Sequence, residues 1–128
     1  MQHPEDRLHI SCVRYFAYAH PELALLLHHS PNGGKRNARE AARFKAMGTR
    51  AGFPDLALLV PRGPYHGAFF ELKTPKGVLS AHQKTYIEEL RKQGYYVAII
   101  RSLDEFIQET ETYLNGCKNI LRHRAPDA

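Results

Sequence analysis

Three charged side chains sit where strand-like sequence would otherwise be wholly apolar. Asp55 opens the run "DLALLV", Glu71 lies within "AFFELK", and Lys73 follows Glu71 by two positions. Successive strand residues face opposite ways, so Glu71 and Lys73 share one face and Phe70 and Leu72 share the other. Burying an unpaired carboxylate or ammonium costs roughly several kcal/mol unless a partner compensates. One partner is internal, a structural Glu–Lys pair at a strand end, and an E-x-K triplet alone is common by chance. Asp55 supports a second reading. If the two runs form a hairpin, antiparallel pairing brings the start of the first strand beside the end of the second. Two carboxylates meeting there repel, which is tolerable around a cation. Oxygen-only ligands suit Mg²⁺ or Mn²⁺. A lysine beside such an ion can orient or deprotonate a water for attack on phosphorus, or neutralise transition-state charge.

The pattern supplies elements to position these residues. Leu8, Val13, Tyr15 and Phe16 recur at helical spacing from Asp6 to about Ala19, and His20-Pro21 ends that helix. Leu23 to Ser30, "LALLLHHS", lies between Pro21 and Pro31 and predicts a strand. "SPNGGKRN" is a turn-rich loop, and "AREAARFKAM" predicts a helix that stops at Gly48. "DLALLV" and "AFFELK" predict strands of a hairpin joined by "PRGPYHG". Ser80 with Gln83 predicts a capping box for a helix ending near Gln93, with Gly94 just beyond. "YYVAII" predicts a buried strand, and Ser102 with Glu105 a second capping box for a helix running to about Leu114. The order α-β-α-β-β-α-β-α implies an α/β fold, a mixed central sheet flanked by helices, with a right-handed parallel crossover from Ala68 to Ile100.

Bulk properties narrow the class. The 128 residues are expected to form one domain, with a core over about 4–114 and a C-terminal tail over 118–128. The net charge of +5 suits a polyanionic partner, although a basic domain without one is the plain alternative. No apolar run approaches the ~20 residues that span a bilayer, and "MQHPEDRLHI" does not read as a signal peptide. Cys12 and Cys117 form no CxxC pair and are expected to be reduced thiols of a cytosolic protein.

Other candidates are electrostatic. Asn32, Gly33, Gly34, Lys35 and Arg36 offer backbone amides and two cations to a phosphate, against a plain-turn alternative. Arg50, Arg62 and Lys76 flank the carboxylates in sequence and could track a phosphate backbone. The eight histidines lack zinc-like spacing with cysteines. His28 and His29 would point to opposite strand faces, a poor chelating pair, and are expected to be structural or near-site residues. No G-x-S-x-G or Cys/His nucleophile constellation is present.

"PD" at 54–55 with "ELK" at 71–73 resembles the PD-(D/E)xK nuclease superfamily. The spaced blocks "PNGGKR", "GTRAGFPDL", "GAFFELKTPKGVLSAHQK" and "GYYVAII" resemble, more narrowly, the virus-type replication-repair nuclease (VRR-NUC) domain in the stand-alone form carried by phages and bacteria. The resemblance spans roughly Pro4 to Leu114 and implies a restriction-endonuclease-like core. It implies that Asp55, Glu71 and the Leu72 carbonyl hold Mg²⁺ or Mn²⁺, with Glu5 on the first helix completing the set. His9 stands where the family usually has glutamine, and Asp6 adjoins Glu5. Lys73 would be the catalytic lysine and Gln83 its support or that of the attacking water. The implied activity is a cytoplasmic, metal-dependent, structure-selective DNA endonuclease, a homodimer that resolves Holliday junctions. The alternatives are a non-cleaving nucleic-acid-binding module and a restriction-type or nicking endonuclease. Phe16 and Tyr113 are candidate interface residues, with the core as their alternative place.

Overall fold

The computed structural model describes residues 3–31 and 37–115. Four helices and four strands follow the predicted order: α1 (Pro4–Ala19), β1 (Leu27–His29), α2 (Ala38–Ala46), β2 (Leu56–Leu58), β3 (Ala68–Leu72), α3 (Ala81–Lys92), β4 (Tyr96–Ile100) and α4 (Leu103–Asn115). The sheet runs β1-β2-β3-β4. Its first two pairings are antiparallel and β3–β4 is parallel, the crossover that strand–helix–strand order requires.

Strand alternation splits the core into two layers. Leu56, Leu58, Phe70, Leu72 and Ile100 pack with Cys12 and Phe16 of α1 and with Phe106, Tyr113 and Leu114 of α4. Ala57, Phe69 and Val97 face the other way, onto Ile87 of α3. Phe16 and Tyr113 are each 0% exposed, so both proposed interface residues belong to the core. Val13 does not join the buried stripe of α1; it is exposed, and Cys12 takes the inward position.

Capping explains the boundaries of α3. Ser80 Oγ accepts from Gln83 N–H while Gln83 Oε1 accepts from Ser80 N–H, a complete capping box. At the other end Tyr95 N–H donates to Leu90 O and Gly94 N–H to Arg91 O, a Schellman closure that needs the positive φ of +88° at Gly94. The second predicted box is shifted. Ser102 Oγ accepts from Glu105 N–H, but the Glu105 carboxylate accepts from Arg101 N–H instead of the Ser102 backbone.

The segment predicted as one strand over Leu23–Ser30 divides. Pro21–Leu26 form a 3₁₀ helix and only Leu27–His29 pair with β2. Proline at the first helical position presets the φ of that turn, and a period of three puts Leu23 and Leu26 on one side, against the core. Leu25 is left 92% exposed. Among the described residues no helix is long and apolar enough to cross a membrane.

Candidate active site

The ladder brings the two carboxylates together. Leu56 pairs with Phe70, so Asp55, one step before β2, lies beside Glu71 and Leu72 at the end of β3. Asp55 Oδ2 accepts from Leu72 N–H at 2.7 Å, fixing the carboxylate in place of the next ladder bond. N–H and C=O of one strand residue point to the same neighbour. The Leu72 carbonyl therefore turns toward Asp55 as well, whereas Lys73 N–H donates to Ile100 O across β4.

Glu71 is 2% exposed, with Phe69 on the α3 side of the sheet. Gln83 Nε2 lies 3.4 Å from its Oε1, a long hydrogen bond, while the opposite end of the same amide caps α3. Gln83 is thus both the structural cap and a neighbour of the carboxylate. The other oxygen, Glu71 Oε2, is buried without a hydrogen-bond partner. Burial foremost, then the adjacent Asp55 carboxylate and the more distant Glu5, push the Glu71 carboxyl up to about 9, against the lowering field of Lys73. An orphaned carboxylate oxygen is costly when ionised and unfilled. It suits a cation, which would satisfy Oε2 and restore the charged form.

The space beside that oxygen is a cleft of about 420 Å³ at the end of the sheet. Asp55, Glu71, Leu72, Gln83 and Glu5 all line it, as does Asp6. Among the described residues no three His, Cys, Asp or Glu side chains already converge as a metal cluster. The oxygen donors at the cleft that could hold a cation are the two carboxylates and the Leu72 carbonyl, with Glu5 on the cleft wall.

Gly52 makes this end of the fold possible. Its φ is +86°, and a Cβ there would lie 2.4 Å from the His82 carbonyl oxygen. The chain leading to Asp55 can touch the start of α3 only because this residue has no side chain.

Two histidines also line the cleft: His29, expected from the sequence to be structural or near-site, and His9. His29 Nδ1 bonds the Asp55 carbonyl at 2.8 Å, and the His9 ring meets His29 edge-on at 4.3 Å. His29 lines the cleft, and His28 lines a separate groove, as strand alternation requires. Burial and then His29 lower the His9 pKa, opposed by Asp55 and Asp6. The departure from glutamine at position 9 was the one sequence signal; the pairing with His29 depends on β1 passing α1.

The cations are distributed differently. Lys73 is half-buried and its charge reaches Glu71, but it does not line the cleft. Its stem follows the Thr74–Gly77 turn, and a methyl added at Gly77 would lie 3.5 Å from Lys73 Cδ. Arg101 braces the same turn through the carbonyls of Thr74 and Gly77 at 2.8 and 2.7 Å. Lys76 is exposed on that turn. Arg50 lines a neighbouring groove. Arg62 is not brought to the cleft: it lies at the far end of the β2–β3 hairpin, where its guanidinium donates to Leu114 and Pro61 carbonyls. Asn32, Gly33, Gly34, Lys35 and Arg36 lie outside the described residues.

The family model for the VRR-NUC domain matches residues 5–104. A solved structure described as a VRR_NUC domain protein superposes with a TM-score of 0.78 at 31% identity, covering 90% of this chain and 91% of that one. No curated protein matches the sequence.

Proposed function

We propose, from the premise that this chain belongs to the VRR-NUC family and is a nuclease of the PD-(D/E)xK type, that it is a divalent-metal-dependent DNA endonuclease selective for branched structures. The observation that carries the metal site is Glu71 Oε2, buried and unpartnered beside Asp55 in an open cleft. Asp55, Glu71 and the Leu72 carbonyl, with Glu5 at the rim, would hold Mg²⁺ or Mn²⁺, which would polarise a phosphoryl oxygen and acidify water.

The chain's own groups do the rest. Leu72 N–H fixes the direction of the Asp55 carboxylate, and His29 braces the Asp55 backbone from β1. Gln83 steadies Glu71 through an amide already immobilised by the α3 cap. Lys73, on the Glu71 side of the strand, offers a cation to the charge that develops on the phosphate. Its stem must leave the Thr74–Gly77 turn to do so. Water adds to phosphorus as the bond to the 3′ oxygen breaks, leaving a 5′-phosphate and a 3′-hydroxyl. Lys35, Arg36, Arg50 and Lys76 hold flanking phosphates on this reading, and the reaction takes place in the cytoplasm of a bacterial or phage-infected cell.

One site cuts one strand, whereas a four-way junction needs two opposed cuts. A C₂ dimer supplies two identical sites related by the junction's own symmetry. Labelled four-way junctions, flaps and plain duplex, incubated with Mg²⁺, Mn²⁺ or a chelator, test the reading alongside light scattering. Metal-dependent junction cutting, absent from Asp55→Ala, and a mass of twice 14.6 kDa are expected. Binding without cutting would make the chain a binding module. A monomer that cuts all duplexes alike would be a simple nicking enzyme.

A further inference from the structure

The cleft does not end at the carboxylates. Ser30, Pro31 and Phe53 on its wall also line a neighbouring groove of about 570 Å³. That groove shares Phe44, Arg50 and Tyr86 with a third, of about 690 Å³, between α2 and α3. The three hollows adjoin one another through these shared walls, from Asp55 and Glu71 to the rings of Phe44 and Tyr86. Tyr86 stands edge-on to Phe53 at 5.2 Å, and Phe53 stands edge-on to Phe69 at 5.7 Å, so the Tyr86 ring is held by a chain of aromatic contacts rooted in the sheet. Phe44 is the half-buried residue of α2, a helix with no fully buried side chain.

The charge of the α2–α3 groove fits a phosphodiester neighbour. Lys45 and Arg50 line it and are exposed. The acid there, Glu89, is offset by Lys92 at 3.3 Å. We propose that the α2–α3 groove holds an unpaired nucleobase of the strand whose phosphate occupies the cleft, with Phe44 and Tyr86 as the stacking surface and Arg50 and Lys45 on its phosphate. The proposal rests on the nuclease reading above. A base inside a duplex has both faces covered by its neighbours, so only a base outside the stack can enter. Aromatic stacking is indifferent to base identity, because every base has a π-face. The groove thus selects for strand structure rather than for sequence, and the selected feature is a nucleotide unpaired beside the scissile bond.

The test uses the full chain and a fluorescein-labelled oligothymidylate, with a matched oligonucleotide carrying abasic sites, in chelator so that neither is cut. Fluorescence anisotropy should show about 10-fold tighter binding to the base-bearing strand. Phe44→Ala and Tyr86→Leu should erase that preference, and Tyr86→Phe, which keeps the ring, should retain it. Equal weakening on both strands, or a preference unchanged in Phe44→Ala and Tyr86→Leu, overturns the stacking site. A chain that cuts duplex DNA with Mg²⁺ yet shows no preference for bases overturns the groove and leaves the nuclease reading standing. A chain that binds neither strand and cuts no DNA overturns both.

Discussion

The two ends of the β2–β3 hairpin are built from the same strands to opposite purposes. At the closed end Tyr65 N–H donates to Arg62 O at 2.9 Å, and Tyr113 O–H donates to the buried Val60 carbonyl at 2.7 Å. Arg62 Nε reaches the last carbonyls of α4 at Leu114, 3.3 Å away, and the rings of Tyr65, Tyr96 and Tyr113 pack together. Polar atoms there are matched by protein partners. At the open end two carboxylates share one corner and Glu71 Oε2 has no partner. The closed end lowers the energy of the fold. The open end leaves a buried polar atom that a ligand could satisfy, and that difference makes it the candidate site.

The comparison breaks first, and most visibly, in activity. Asp55→Ala should cut DNA at least about 10³-fold more slowly, roughly 4 kcal/mol of transition-state stabilisation, with the fold intact in circular dichroism. At the closed end Tyr113→Ala should destabilise the chain by about 4 kcal/mol in urea unfolding, since it empties a fully buried aromatic position. Its affinity for Mn²⁺ should not change. Equal damage to metal binding would show that the two ends are not separable.

Glu71 should give the opposite sign. The folded carboxyl is raised to about 9 from an ordinary value of 4.5. Below pH 4.5 both states are protonated and no difference arises. Between 4.5 and about 9 the unfolded chain ionises while the folded one resists, so metal-free stability falls as pH rises. Glu71→Gln removes that loss. It should be more stable than the natural chain at pH 7, by a margin that shrinks as pH falls and is gone near pH 4. A stability gap that does not grow with pH would contradict the buried, unpaired carboxylate.

Gly52→Ala should cost about 2 kcal/mol from its positive φ alone and disturb the approach of Asp55 to α3, reducing cutting as well as the melting temperature. The smallest effect belongs to Tyr113→Phe. It keeps the packing but orphans the Val60 carbonyl, for about 1 kcal/mol and no loss of cutting.

The Asp55–Glu71 meeting was legible because it follows from two local rules, alternation along a strand and antiparallel return. The α3 cap was legible for the same reason: Ser80 and Gln83 are three residues apart. Arg62 shows the limit. It follows Asp55 by seven positions, and a chain extended at about 3.3 Å per residue can carry it up to roughly 23 Å away, to the other end of the hairpin. Lys73 was expected on the Glu71 face, and its charge acts on Glu71, yet the course of its stem along the Thr74–Gly77 turn depends on the loop that Arg101 braces from beyond β4. The His9–His29 contact joins residues of α1 and β1, and no local periodicity encodes how those elements cross. The 3₁₀ turn at Pro21–Leu26 was hidden by an apolar run that suits either conformation.

If the open end of the hairpin is a metal site held in an unsatisfied state, Glu71 is its centre. Calorimetric titration of Mn²⁺ into the natural chain and into Glu71→Gln, each paired with its thermal unfolding curve, tests it directly. Saturable binding to the natural chain, none to Glu71→Gln, and a higher metal-free melting temperature for Glu71→Gln at pH 7 are expected. Undiminished Mn²⁺ binding by Glu71→Gln, or a lower melting temperature, would contradict it and make Glu71 a structural residue of the strand end.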